Sequence, residues 1–123
     1  MYKAEIKECS KELTKKETIM LTDTTAAYKL EDLSKGEEEV TFHPVAWAVL
    51  SIHNDKATDP DYEQYIVLDD NGDKYITGSS TFFQNFKKIF EEMVNSDEDW
   101  AIKVLRKPSK NFVGRDFLTC ALI

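Results

Sequence analysis

The sequence has little of what stabilises small exported or metal-bound proteins. Only two cysteines, Cys9 and Cys120, occur among its 123 residues. Their wide separation fits neither a disulfide framework nor the paired ligands of a zinc site, so we expect reduced thiols that pack in the interior. A chain of this length can bury one hydrophobic core without metals or disulfides, and a single domain is therefore expected.

Long apolar runs are also missing. The longest spans only a few residues, and the charged start "MYKAEIKECSKELTKKE" lacks the apolar centre of a secretory signal. We therefore expect neither export nor a membrane-spanning segment, and we expect a cytoplasmic location. With four glycines and three prolines, the chain also has no Pro- or Gly-rich linker, and it shows no repeat.

Positive charge is scarce overall but concentrated in one stretch. The chain has 16 Lys and Arg against 23 Asp and Glu, a net charge of −7, which argues against loose binding to nucleic acid or to an acidic membrane. Residues 101–118 nevertheless hold five cations and one anion, a local charge of +4, so the remainder carries −11. Such a basic strip is typical of a specific groove for a polyanion, although solvated hairpins carry the same pattern.

Three strands are predicted in the first half of the main domain. Residues 39–52, "EVTFHPVAWAVLSI", indicate a long, bent strand in which Pro44 bars a central ladder position. Strands over 62–69 and 74–78 follow, and the Asn-Gly pair between them is the strongest short hairpin signal.

An aromatic helix and two further strands complete the prediction. Phe82, Phe86, Ile89 and Met93 recur at helical spacing, and the spacing of Thr81 and Gln84 predicts a capping box that starts the helix near Thr81. Two strands are then expected in "WAIKVLRK" and "RDFLTCALI", joined by the basic loop "PSKNFVG".

Strand, strand, strand, helix, strand, strand is the order of an oligonucleotide/oligosaccharide-binding (OB) fold. We therefore predict a mainly β, five-stranded OB barrel over residues 36–123, with one helix between strands 3 and 4 whose phenylalanines close one end. Residues 1–35 are predicted to form an N-terminal extension packed on the same domain. Within it, "YKAEIKE" predicts a short strand and "TTAAYKLEDLSKG" a short helix or turn.

Three stretches carry a resemblance to a known family. The run "PVAWAVLSIHND", the spaced tyrosines of "DYEQYIVLDDNGDKYITGSSTFFQNFKKIFEEM" and the ending "RKPSKNFVGRDFLTCALI" resemble single-stranded DNA-binding proteins of bacteriophage and mobile-element type. The resemblance covers roughly Leu30 to Ile123. It implies an OB fold that coats single strands in the host cytoplasm during replication or recombination, as dimers or higher assemblies, beside replication or recombination proteins.

The residues themselves also suit a single strand, which needs cations along a backbone path and exposed aromatic faces for base stacking. The aromatic residues predicted to contact bases are Trp47, Tyr62, Tyr65, Tyr75 and Phe112, and the cations predicted to contact phosphates are Lys103, Arg106, Lys107, Lys110 and Arg115. Because side chains alternate along a strand, Tyr62 and Tyr65 face opposite ways, so at least one tyrosine belongs to the core. The alternative roles are barrel packing for the aromatic residues and solvation for the cations.

Patterns for other chemistry are weak. "LDDNGD" places its glycine too early for a calcium loop, "TGSS" lacks the lysine of a phosphate-binding loop, and His43 and His53 lack metal-ligand spacing. No nucleophile lies in a catalytic motif, so neither an enzyme nor a cofactor is expected. The alternative function is an OB-type adaptor or inhibitor that binds another protein through its acidic surface.

Overall fold

Two β-sheets and three α-helices form the part of the chain that the computed structural model describes, residues 2–36, 38–108 and 116–123. The predicted mainly β architecture is confirmed. The elements in chain order are β1 (Tyr2–Cys9), α1 (Lys15–Thr22), a 3-10 turn (Thr24–Ala26), β2 (Tyr28–Lys29), α2 (Leu30–Leu33), β3 (Thr41–Phe42), β4 (Pro44–Asn54), β5 (Asp61–Asp69), β6 (Lys74–Thr77), α3 (Ser80–Met93), β7 (Ile102–Pro108) and β8 (Asp116–Leu122).

The larger sheet has five strands in the order β1-β4-β5-β6-β2. Neighbouring strands are antiparallel except for β2, which pairs in parallel with β6. The predicted N-terminal strand is confirmed as β1, which lies beside β4 from Tyr2 opposite Asn54 to Cys9 opposite Ala48. The N-terminal segment thus supplies two strands of this sheet.

The predicted Asn-Gly hairpin is confirmed between β5 and β6. Gly72 adopts a φ of 84°, a conformation that glycine reaches without steric cost. The buried carboxylate of Asp69 accepts hydrogen bonds from the backbone N–H groups of Asn71 at 3.0 Å and Asp73 at 2.8 Å. The acidic sequence "LDDNGD" therefore builds a turn around its first aspartate.

The smaller sheet has the order β3-β7-β8. The predicted long first strand is in fact two strands, β3 and β4, interrupted at His43, because Pro44 cannot donate to a ladder. β3 pairs with β7 while β4 pairs with β5, so this one stretch of chain connects the two sheets. The described strands remain two separate sheets instead of one closed barrel, since β6 pairs with β2 of the N-terminal segment.

The main core lies between the larger sheet, α3 and the smaller sheet. Phe82, Phe83, Phe86 and Phe90 of α3 are buried there together with Trp47. The helix phenylalanines are thus core residues, as predicted, but they fill the space between two sheets and do not close the end of a barrel. The predicted cap of the helix is wrong, because Ser79 is the N-cap and its hydroxyl accepts a hydrogen bond from the Phe82 N–H at 3.1 Å.

A second core covers the opposite face of the larger sheet. Alternation along β4 turns Ala48 and Leu50 toward α1, which contributes the fully buried Leu21 and leaves Ile19 69% exposed. The buried Lys74 of β6 fixes the end of this helix: its Nζ donates to the carbonyl oxygens of Met20 at 2.8 Å and Asp23 at 2.7 Å. These bonds satisfy carbonyl groups that a helix C-terminus leaves without partners.

Both cysteines are free thiols, as predicted, with Cys120 buried and Cys9 half-buried. His53 lies close to two carboxylates in the folded chain. Its ring lies between Asp61, 2.7 Å from Nδ1, and Asp55, 2.6 Å from Nε2, because the β4–β5 hairpin folds Asp61 back opposite His53. The hydrogen bonds to Asp61 and then Asp55 raise the pKa of His53.

Candidate nucleic-acid interface

The predicted tyrosines lie on two faces of the larger sheet. Tyr65 and Tyr75 face the main core, whereas Tyr62 faces the second core beside α1. The inference that Tyr62 and Tyr65 point in opposite directions is therefore confirmed. The Tyr65 ring stacks on Phe83, with centroids 4.4 Å apart and planes at 11°, so one of its faces is already covered by protein.

Tyr75 is held on two sides. Its ring stacks on Phe42 at 4.3 Å with planes at 12°, and its hydroxyl donates to Asp69 Oδ2 at 3.2 Å. Burial, followed by the negative charge of Asp69, raises the pKa of Tyr75. Its ring also lies 5.8 Å from that of Tyr28, which is 50% exposed.

Trp47 does not offer a stacking face. The residue is only 4% exposed. Its ring and that of Phe83 pack edge to face with their centroids 5.1 Å apart, and Lys87 Nζ lies 5.2 Å from the Trp47 ring centroid. Its buried Nε1–H has no hydrogen-bond partner among the described atoms. The predicted base contact at Trp47 is therefore inconsistent with this arrangement, because a base has no open ring face to meet.

α1 covers part of the outer face of β5. OB domains use the face of strands 2 and 3 for oligonucleotides, and β5 and β6 are the strands predicted for that role. α1, with its buried Leu21, packs with Ile66 and Leu68 on the outer face of β5. A cavity of about 530 Å³ remains beside Tyr62 and Gln64. A binding platform along the whole outer face of β5 is thus not open.

Three of the five predicted cations lie in the described residues. Lys103 Nζ pairs with Glu39 Oε1 at 2.8 Å. The Arg106 guanidinium turns to α2, where Nη2 donates to Ser34 Oγ and to the Glu31 carbonyl, each at 2.9 Å. Lys107 is exposed, and its side chain forms no hydrogen bond or ion pair with a described residue. The other predicted contacts, Lys110, Phe112 and Arg115, lie outside the described residues.

One residue that the sequence-based selection missed is Phe117. It lies directly across from Lys107 in the β7–β8 pair, is half-buried, and belongs to neither hydrophobic core of the described chain. Alternation in "DFLTCAL" could have revealed it, since Leu118 and Cys120 face the core and Phe117 must then face the other side.

We call this surface of β7 and β8 the hairpin face. Strand alternation and pairing register place on it Lys103, Leu105, Lys107 and Phe117. Thr119 lies on it as well, opposite Leu105, but is buried because its hydroxyl accepts a hydrogen bond from Asn85 of α3 at 2.6 Å. The open part of the face is therefore the end that carries Lys107 and Phe117. Its far end leads into the basic segment 109–115 of the sequence. The hairpin face therefore combines cationic side chains with one partly exposed aromatic ring.

A comparison with protein-family models, curated proteins and solved structures finds no match for this chain. Within the described ranges, His, Cys, Asp and Glu side chains form no group of three that could hold a metal ion. No helix in those ranges is both long and apolar enough to cross a membrane. The residues of the hairpin face are therefore the basis for assigning its function.

Proposed function

We propose that this protein binds single-stranded DNA with little sequence preference and that the hairpin face is the docking surface. The observation that carries the proposal is the cross-strand pair of Lys107 and Phe117, a cation without a described partner beside an aromatic ring outside both cores. Ammonium groups attract phosphates, and an aromatic face accepts any base, with about 1–3 kcal/mol per stacked base. This combination favours binding that is insensitive to sequence.

The adjoining segment of sequence strengthens the proposal. Lys110, Phe112 and Arg115 follow directly after β7 and repeat the same combination of cations and an aromatic residue. Tyr62, beside its cavity of about 530 Å³, is a second place where a base could be held.

We also propose that residues 41–123 are a variant of the OB fold. The element order supports it, as does the way β3 and β4 join the two sheets while α3 fills the space between them. The variant differs in that β2 occupies the edge of β6. Following the resemblance, we infer a role in DNA replication or recombination, in the cytoplasm of a host cell, as a phage- or mobile-element-type protein that acts as a homodimer without enzymatic activity.

The proposal is tested by measuring the anisotropy of a labelled oligo-dT during titration with the full chain and its variants. Tryptophan fluorescence is unsuitable, because Trp47 and Trp100 are 4% and 9% exposed. Phe117→Ala should cost about 1–3 kcal/mol of binding, roughly 5- to 150-fold in Kd, if a base stacks on this ring. Lys107→Ala should also weaken binding.

The matched control is Lys16→Ala, which removes an exposed lysine on α1, on the side of the larger sheet opposite to the main core and the smaller sheet. It should bind like the wild type, and all three variants should unfold at nearly the wild-type temperature. Equal affinity of Phe117→Ala, Lys107→Ala and the wild type would remove the hairpin face from the DNA site. Absence of any oligo-dT binding by the wild type would refute DNA binding and favour the adaptor function.

A further inference from the structure

We propose that a groove between β2, α2 and the segment entering β3 binds an arginine- or lysine-bearing segment of a partner protein. The groove has a volume of about 500 Å³, within the range of pockets that hold ligand side chains. We call it the tyrosine groove, because Tyr28 and Tyr75 line it together with the apolar side chains of Leu33 and Val40. This inference is independent of DNA binding.

The aromatic surface of the groove is held in place by backbone pairing. The parallel register of β2 and β6 sets Tyr28 beside Tyr75, with ring centroids 5.8 Å apart. Tyr75 is fixed from behind by its stack on Phe42 at 4.3 Å. Tyr28 is 50% exposed, so folding alone does not account for its ring, and an exposed tyrosine face attracts Lys and especially Arg side chains.

Carboxylates surround these rings. Asp32, Glu38 and Asp73 line the groove, and the side chain of none of them forms an ion pair or hydrogen bond with another described residue. Glu39 lines the groove as well, and its carboxylate is neutralised by Lys103 at 2.8 Å. Burial and then the charge of Asp69 are the main causes of the raised pKa of Tyr75, and the charge of Asp73 adds to them. The negative potential of the groove carboxylates therefore extends to this ring.

Charge and position together identify the occupant. The carboxylates repel nucleic acid and attract an ammonium or guanidinium group. β2 is the outermost strand of its sheet, and an extended peptide can lie along such an edge while its side chains enter a pocket. A cationic protein segment satisfies both conditions, with one or two basic side chains over the tyrosines and between the carboxylates.

The test uses a labelled six-residue peptide of alternating arginine and glycine, titrated with the full-length chain and followed by anisotropy. A peptide with glutamine in place of arginine is the ligand control. We expect the wild type to bind the arginine peptide and not the glutamine peptide. Tyr28→Ala should weaken binding roughly 2- to 30-fold, the range of cation–π contributions, while Tyr28→Phe should retain it.

The carboxylates are tested by the double variant Asp32→Asn/Glu38→Gln, which we expect to weaken binding by more than tenfold. Its matched control is Glu12→Gln/Glu92→Gln, with the same change in net charge at exposed positions outside the groove. An equal loss in this control would show nonspecific charge attraction and overturn the proposal, as would wild-type affinity in both Tyr28→Ala and the carboxylate variant.

Sedimentation velocity at rising protein concentration distinguishes a partner protein from a second copy of this chain. A monomer, or an oligomer that Tyr28→Ala leaves intact, is the expected result. Self-association that Tyr28→Ala abolishes would assign the groove to another copy and overturn the partner-protein proposal. Because Tyr28 is half exposed, its variants should unfold like the wild type, so loss of folding would not explain lost peptide binding.

Discussion

At the residue scale, Phe86 shows how completely the α3 phenylalanines are committed to folding. Its side chain is 0% exposed, and its ring centroid lies 6.0 Å from Phe82, 6.1 Å from Phe83 and 5.8 Å from Phe90. Removing such a ring loses its transfer free energy and leaves a cavity that the sheets on either side cannot fill.

Phe86→Ala should therefore lower the free energy of unfolding by about 3–5 kcal/mol, measured by urea denaturation. Gln84→Ala, at an exposed position of the same helix, should change it little. The DNA affinity of the folded fraction of Phe86→Ala should equal that of the wild type. Selective loss of DNA binding at unchanged stability would contradict the assignment of Phe86 to the core.

The aromatic residues show that the sequence predicts which rings lie on strands but not which rings are exposed. Composition and spacing identified Trp47, Tyr65 and Tyr75 as aromatic residues on strands, but whether a ring is free depends on what a distant segment places against it. Tyr65 meets Phe83 and Tyr75 meets Phe42, and neither partner is near in sequence. Phe117 is a different case, because a local signal was present: strand alternation places it on the opposite side of β8 from Leu118 and Cys120.

At the scale of elements, α1 depends on one buried side chain of another element. α1 buries only Leu21, and its own start is secured by a capping box between Thr14 and Glu17. Its end is secured by Lys74, through the carbonyl groups of Met20 and Asp23. The helix that packs on the outer face of β5 is thus tied to β6 by Lys74.

Lys74→Met should leave these two carbonyl groups without their partner while keeping the aliphatic part of the side chain. The two hydrogen bonds are part-buried, so their loss weakens the end of α1. Amides in the second half of α1 should therefore exchange with solvent faster than in the wild type, while those of α3 keep their rates. Lys56→Met, at an exposed loop position, is the control and should leave the exchange pattern unchanged. Unaltered protection of α1 in Lys74→Met would show that Leu21 and its neighbours hold the helix without Lys74.

Elements with local signals were predictable, and elements set by distant partners were not. The Asn-Gly turn and the helical spacing of Phe82, Phe86 and Met93 identified the β5–β6 hairpin and α3. The parallel pairing of β2 with β6 and the contact of Arg106 with Ser34, 72 positions away, have no local signal. The sequence consequently assigned Arg106 to a DNA strip, whereas in the structure its guanidinium also ties β7 to α2.

At the scale of the whole molecule, the structure places opposite charges on different surfaces. The hairpin face carries Lys103 and Lys107, while the tyrosine groove carries Asp32, Glu38 and Asp73. A chain with a net charge of −7 repels a polyanion at long range, and only a local basic surface can overcome this repulsion at contact. The two surfaces meet at the ion pair of Lys103 and Glu39, 2.8 Å long, so the proposed DNA and the proposed cationic partner would bind side by side.

The salt dependence of DNA binding tests which of two opposing effects of charge is larger. Local phosphate contacts release counterions, so the logarithm of the binding constant for oligo-dT should fall with the logarithm of salt concentration, with a slope near −0.7 per phosphate neutralised. Screening of the repulsive acidic body alone would instead make binding stronger as salt rises. A negative slope corresponding to a few phosphates is expected. Lys107→Ala should reduce its magnitude by a fraction of one contact, and Lys16→Ala should not. A flat or positive slope between low and physiological salt would show that the acidic body dominates, and the basic strip of residues 101–118 would then not be the docking surface.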